Sequence, residues 1–335
     1  MDGQPPPDAV ILRTFAFAMN QTRRQFVRTL FVATSATAMG AVFPRSLFAA
    51  DAQNDGLNFL VCGDWGRDGQ KEQRAVAEQM GTAAAAINAK FVISVGDNFY
   101  EHGVKSVNDS QWQASFEKVY TAASLQVPWH TVLGNHDYHG NCQAQIDYSQ
   151  MSKRWKMPAR YFKRTEVIDG KNSAEFFFLD TTPMAQASDD KAVSPEELKD
   201  QNIAHQLTWL ESALAASTAP WKILVAHHPV YSGGVHGDTP YIIAHVLPLL
   251  EKYGVQAYFN GHDHDLQHLQ AGKVDLFCAG AGSKVRETKN TAHTKFSKGS
   301  TPGFVTVALA TEKMDVRMMD AHGQMLYTAS VPRHA

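Results

Sequence analysis

The sequence predicts an α/β protein of layered sheets with helices on the outside, and two observations carry that expectation. From Leu57 to Phe259, apolar strand-like runs alternate with polar loops and amphipathic helical stretches. After Phe259 the pattern changes to strands alone. No Pro/Gly/Ser linker, repeat or low-complexity block follows Leu57, so residues 53–335 read as one domain.

The elements follow from their periodicity. Leu57 to Cys62 is a strand, and Lys71 to Ala89 is a helix with alanines on its inner side. Phe91 to Val95 is the second strand. Gln111 to Ala122 is helical, with Trp112, Phe116 and Val119 or Tyr120 spaced to share a face. His130 to Leu133 and Ser173 to Leu179 are strands, and His205 to Ala215 is a helix with a Leu207, Leu210, Leu214 and Trp209 stripe. A strand at Lys222 to Ala226, a helix at Tyr241 to Tyr253 and a strand at Val255 to Phe259 come next. The closing strands are Val274 to Cys278, Gly303 to Leu309, Met314 to Met319 and Met325 to Val331. Two loops stand apart: 181–202 is acidic and 283–300 is basic. Both read as solvated, and the basic one is the better suited to attract an anionic substrate.

Composition narrows the function. The chain has 335 residues, 44% apolar and 19% charged, enough for a large core. A net charge of -2 gives no reason to expect nucleic acid or an anionic membrane as partner. Three scattered cysteines, Cys62, Cys142 and Cys278, suit neither a disulfide framework nor a thiolate zinc site. Fifteen histidines are many, and a site that uses several would help explain them.

The first 52 residues read as an N-terminal extension and export signal. Thr22-Arg23-Arg24-Gln25-Phe26-Val27 precedes a mildly apolar run from Leu30 to Phe43 and an Ala50-Asp51-Ala52 cleavage pattern. That run is shorter than the roughly 20 residues needed to span a bilayer, which argues against a stable membrane anchor. Paired arginines resemble the signals of the bacterial twin-arginine machinery, which exports folded proteins. A periplasmic or secreted location follows, with Met19 as an alternative start and the mature chain beginning near Gln53.

The chemistry gathers where strands end: Gly63-Asp64-Trp65-Gly66, Gly96-Asp97-Asn98-Phe99-Tyr100, Gly134-Asn135-His136-Asp137, His227-His228-Pro229 and Gly261-His262-Asp263-His264. A Gly-Asp pair after a strand is ordinary turn chemistry taken alone. Five such ends in succession are not, because carboxyl-end loops are where open α/β sheets gather ligands. Two imidazoles one residue apart, at His262 and His264, can turn toward two different metal ions.

This series resembles the calcineurin-like metallophosphoesterases, and within them the purple acid phosphatases, particularly the small, tartrate-resistant mammalian type. The resemblance runs from about Leu57 to the C-terminus and includes Ser152-Lys153-Arg154-Trp155 and Gly280-Ala281-Gly282. It implies a four-layer α/β/β/α sandwich of two mixed β-sheets flanked by helices. Many relatives carry a ligand histidine where Gly66 stands here; Tyr100, three residues after Asp97, takes the place of the purple enzymes' iron-binding tyrosinate. The resemblance assigns Asp64, Tyr100, His264 and a shared Asp97 to one metal, and Asn135, His227, His262 and Asp97 to the other. The first set holds two anions of its own and suits Fe(III); the second is neutral apart from Asp97 and suits Zn, Fe(II) or Mn.

The implied activity is an acid phosphatase that hydrolyses small phosphate monoesters, with metal-generated hydroxide as nucleophile. His136 and His236 match the family's substrate-binding and acid-catalytic histidines. His228 departs from the tyrosine common in mammalian members. Two rival readings remain open on the residues: a phosphodiesterase or nucleotidase on the same scaffold, and a non-hydrolytic redox or phosphate-binding iron protein.

Overall fold

The structure, a computed structural model, describes residues 56–187, 193–194 and 196–334. The export signal, the alternative start and part of the acidic loop, Asp189 and Asp190 included, lie outside the described residues.

The described strands form two seven-stranded sheets. Sheet 1 contains β1 (Leu57–Cys62), β2 (Phe91–Ser94), β3 (Trp129–Thr131), β4 (Trp155–Lys156), β12 (Gly303–Leu309), β13 (Lys313–Asp320) and β14 (Met325–Pro332). Its order is β14-β13-β12-β1-β2-β3-β4. Sheet 2 contains β5 (Phe162–Val167), β6 (Ser173–Phe178), β7 (Trp221–Val225), β8 (Ala257–Asn260), β9 (Leu266–Ala271), β10 (Val274–Ala279) and β11 (Thr294–Lys298), in the order β11-β9-β10-β8-β7-β6-β5. In sheet 1 the parallel run β1-β2-β3-β4 reaches one edge and antiparallel strands, from β12 on, make the other side; in sheet 2 a parallel centre is flanked by antiparallel β9 and β5.

Alternation decides what each strand buries. Phe59 and Val61 of β1, Phe176 and Phe178 of β6, and Ile223 and Val225 of β7 meet in the core between the sheets. Their neighbours Phe177, Leu179, Leu224 and Ala226 pack instead with Leu210 and Leu214 of a helix at Ile203–Ala215. Sheet 1 is covered by α1 (Gln73–Ile87), which contacts β1 and β12. Asn58 Nδ2, on the helix side of β1, donates to the Ile87 carbonyl at 2.7 Å. Strands buried on both faces read as continuous apolar runs, which is why the central ones were plain in the sequence.

Where expectation and structure differ, local chemistry explains it. The helix expected over 241–253 is two, Pro240–His245 and Leu247–Lys252, because Pro248 lacks the N–H that a continuous helix needs. Gln111–Ala122 contains a short π-helix at Trp112–Glu117 rather than a full α-helix. Four strands went unseen. β4 has two residues, β5 is a charged edge strand, and β11 lies within the basic loop. β9 buries Gln267 and His268 through hydrogen bonds to Asp265 and Asp275, a polar interior that alternation cannot reveal.

Phe59 stacks on Phe91 at 4.9 Å and meets Phe176 edge-on at 5.5 Å, wholly buried between the sheets. Phe59→Ala is expected to cost roughly 3–5 kcal/mol, read from denaturant unfolding at unchanged secondary structure.

Candidate metal centre

Each expected residue follows closely on the carboxyl end of a parallel strand. Asp64 lies two residues after β1, Asp97 and Tyr100 shortly after β2, and Asn135 opens a short helix, α2 (Asn135–Tyr138), after β3. His227 follows β7, and His262 and His264 follow β8. Because β1, β2 and β3 belong to one sheet and β7 and β8 to the other, the centre spans both.

The backbone that presents them is strained. Asp64, Asp97 and His262 have φ of 59°, 49° and 72°. Left-handed conformations cost an ordinary residue about 1–3 kcal/mol and persist only where surroundings enforce them. Here Asp64 N–H donates to the Gly96 carbonyl at 3.0 Å, Gly261 N–H to the His227 carbonyl at 3.0 Å, and His262 N–H to Asp64 Oδ2 at 3.1 Å. Inward-facing rings anchor the same loops. Trp65 donates from Nε1 to Ser94 Oγ at 2.8 Å and meets Phe99 edge-on at 5.8 Å, and Phe99 meets Trp112 at 4.8 Å. Gly134 and Gly261 have no room for a side chain: a β-carbon would overlap Asp97 Oδ1 at the first and Asp64 Oδ2 at the second. At Gly66 a β-carbon would overlap the Asn98 carbonyl, so no side chain, a histidine included, fits there.

Two groups of donors result. In the first, Tyr100 Oη lies 3.0 Å from Asp64 Oδ1, 2.7 Å from Asp97 Oδ2 and 3.1 Å from His264 Nε2. In the second, His227 Nε2 lies 3.2 Å from Asn135 Oδ1, 3.3 Å from His262 Nδ1 and 3.5 Å from Asp97 Oδ1. Asp97 therefore offers one oxygen to each group. His227 Nδ1 donates to the Val95 carbonyl at 2.8 Å, leaving Nε2 to turn its lone pair inward, as metal-binding imidazoles do.

The donor chemistry fits a pair of cations. Burial, reinforced by the Asp97 charge, pushes the Asp64 carboxyl well above the usual range. Burial and the two carboxylates likewise push the Tyr100 phenol well above its ordinary value. Protein alone thus leaves these oxygens holding protons, and a small cation of high charge among them would reverse that preference. Burial pushes the His227 and His262 imidazoles down, so both are neutral, the form that binds metals.

The structure also gathers groups that the sequence reading did not assign. One ring nitrogen each of His227, His228 and His262 lie within 4.8 Å of one another, so His228 joins the second group instead of merely bordering it. His228 is held from behind by Thr181 Oγ1, 3.1 Å from Nδ1. Arg67 lays its guanidinium 3.7 Å over the Tyr100 ring and binds Glu101 at 2.6 Å. Arg286, from the basic loop, donates to His236 Nε2 at 2.8 Å and from its backbone to the His264 carbonyl at 2.9 Å. The basic loop therefore borders the site. His136 packs tilted against Tyr100, ring centres 4.4 Å apart, and places Nδ1 2.7 Å from the Glu101 carbonyl, while His236 packs tilted against His262 at 4.2 Å. No sequence period signals Arg67, Arg286 or His228, because their roles arise from contacts across loops.

The calcineurin-like phosphoesterase family model matches residues 57–266, and the chain belongs to that family. Its relatives narrow the class. It is 37% identical to purple acid phosphatase 7 of Arabidopsis thaliana over 299 residues, 84% of this chain and 88% of that one. It is 36% identical to tartrate-resistant acid phosphatase type 5 of Homo sapiens over 305 residues, 85% of this chain and 94% of that one. At this likeness over most of its length, the chain is a phosphoric-ester hydrolase of the acid phosphatase class. Among solved structures it resembles GAP50, the anchor in the inner membrane complex of Plasmodium, with a TM-score of 0.73 at 26% identity, covering 83% of this chain and 89% of that one.

Because the Gly134 position is filled by the Asp97 carboxylate, Gly134→Ala is expected to displace the one side chain that both groups share. Metal content at both sites should fall together while far-ultraviolet circular dichroism is retained. Loss of one metal alone would contradict a shared Asp97.

Proposed function

We propose that the protein is a binuclear Fe(III)–M(II) phosphomonoesterase, M being Zn, Fe(II) or Mn. The observation that carries this reading is the asymmetry of the two donor groups around Asp97. Asp64, Tyr100 and His264 would hold the ferric ion, since two anionic donors of their own favour high charge. Asn135, His227 and His262, neutral donors, would hold the divalent ion. When bound, the two ions polarise the phosphate and supply the nucleophile.

The chain's own residues then do three things. Asp97, anchored by the His136 backbone N–H at 2.9 Å, fixes the spacing of the two halves. His136 keeps Nδ1–H on the Glu101 carbonyl, so Nε2 is the nitrogen placed to exchange a proton with the leaving alkoxide. Arg286, by donating to His236 Nε2, leaves the proton of that ring on Nδ1 as a donor and adds positive charge where an anionic ester arrives.

GAP50, described as an anchor, shares this fold, so fold alone does not settle activity. His136 and His236 favour hydrolysis over the iron-protein reading, since a binder needs no leaving-group acid. The diesterase or nucleotidase reading differs only in the walls around the ester and has no observation of its own in support.

The same proposal extends to the leader. Residues 1–52 act as a twin-arginine signal and the mature chain, from about residue 53, is periplasmic or secreted; Arg23-Arg24 before the Leu30–Phe43 run supports this. Among the described residues no helix is long and apolar enough to cross a membrane.

Three outcomes are expected. The metal-loaded protein should be violet and Tyr100→Phe should bleach it at unchanged iron content; retained colour would mean another chromophore. His136→Ala should keep colour and both metals but lower kcat for an aryl phosphate monoester by about 10²–10⁴-fold, and equal turnover of mono- and diesters would favour the diesterase reading. Arg23→Lys with Arg24→Lys should hold coloured, active protein in the cytoplasm, whereas unchanged export would remove the twin-arginine assignment.

A further inference from the structure

A second cluster lies away from the metal centre, at the edge where the two sheets part. A cavity of about 350 Å³ opens there, lined among others by His130, Lys156, Met157, Phe162, Lys163 and Arg164. His130 and Lys156 are register partners on β3 and β4 of sheet 1, and Phe162 and Arg164 lie on β5 of sheet 2. His130 is five residues before Asn135, a separation of roughly 15 Å along an extended chain.

Two features of the cavity point to a ligand. The first is His130, almost fully buried, whose Nε2 has no hydrogen-bond partner. An unmet buried polar atom costs about 1–3 kcal/mol, so a group that bonds to it is favoured. The second is charge. Three lining residues are cationic, and none of the described lining residues is acidic. Arg164 is tied to Glu166 on its own strand, and Lys163 to Glu175 at 2.7 Å on the neighbouring strand. Among the described residues, Lys156 Nζ donates to the Ser152 carbonyl alone, at 3.2 Å. Burial, with the positive charges of Arg164 and Lys156, pushes the His130 imidazole down to about 3, so its ring is neutral in a positive field. The remaining lining combines the polar Ser149 and Gln150 with an apolar side of Met157, Pro158 and Phe162; Phe162 stacks on Phe178 at 4.4 Å, and His130 meets Phe91 edge-on at 5.4 Å.

We propose that this cavity is a second binding site, separate from the metal centre, for a small organic anion with a flat apolar body, its anionic head on His130, Lys156 and Arg164 and its body against Phe162 and Met157. The head is a carboxylate or a phosphoryl group; both accept from the same donors.

The test titrates benzoate and phenylphosphonate into the metal-loaded protein by calorimetry, with the visible spectrum recorded as a report from the metal centre. Saturable binding of at least one probe with an unchanged spectrum is expected, and the tighter probe identifies the head group. Lys156→Gln and Arg164→Gln, both at partly exposed side chains that should not disturb folding, are each expected to weaken that binding about tenfold or more. Neutral benzamide is expected not to bind. The proposal is overturned if neither probe saturates, if benzamide binds as well as benzoate, or if binding survives both substitutions and instead moves the visible spectrum.

Discussion

The constraint on which the rest of the structure depends is the burial of two carboxylates and a phenol around one point. Asp64, Asp97 and Tyr100 are all buried, and the phenol oxygen is within 3.0 Å of both carboxylates. No arrangement of protein groups alone makes this comfortable, since buried like charges repel and each loses its hydration. The Arg67 guanidinium lies over the face of the Tyr100 ring. The fold therefore holds its acidic groups ready for an ion, and the loops that hold them give up favourable φ angles to do so.

That arrangement needs a rigid support, and the two sheets provide it in different ways. Sheet 1 supplies the oxygen donors Asp64, Asp97, Tyr100 and Asn135 from β1, β2 and β3; sheet 2 supplies the imidazoles of His227, His262 and His264 from β7 and β8. The aromatic core between the sheets fixes their separation. Beneath the sheet 1 loops, Trp65 and Phe99 carry ring packing on the residues next to Asp64 and Tyr100, so the packing of one side chain sets the direction of the next. Within this frame the loop residues are adjustable. Arg286, His236 and His228 border the second group, Arg286 also reaching the first through its backbone bond to the His264 carbonyl, and His228 gives the second group an additional imidazole.

The parallel-strand core was legible because strands buried on both faces have no polar alternation to confuse them, as in Phe176-Phe177-Phe178. The candidate site residues Asp64, Asp97, Asn135, His227, His262 and His264 were legible because each lies within a few residues of such a strand. Edge strands were not: β5, Phe-Lys-Arg-Thr-Glu-Val, carries the charges that a sheet edge tolerates and a sequence reader takes for loop. Trp112–Glu117 has the spacing of an amphipathic helix, but its rings are fixed by Phe99, Tyr148 and Trp155, and tertiary packing overrode the local period.

The sequence by itself determined the types of donor, their order along the chain and the glycines beside them, because short-range geometry at a strand end depends on neighbours one to three residues away. The resemblance implied the division of those donors between two groups and a shared Asp97; only the tertiary structure set the distances that bring each group together and placed His228, Arg67 and Arg286 beside them. The same holds for His130, Lys156 and Arg164, which meet across the edge of two sheets. Such contacts join residues far apart in the chain, and the sheets, not local spacing, set their distances.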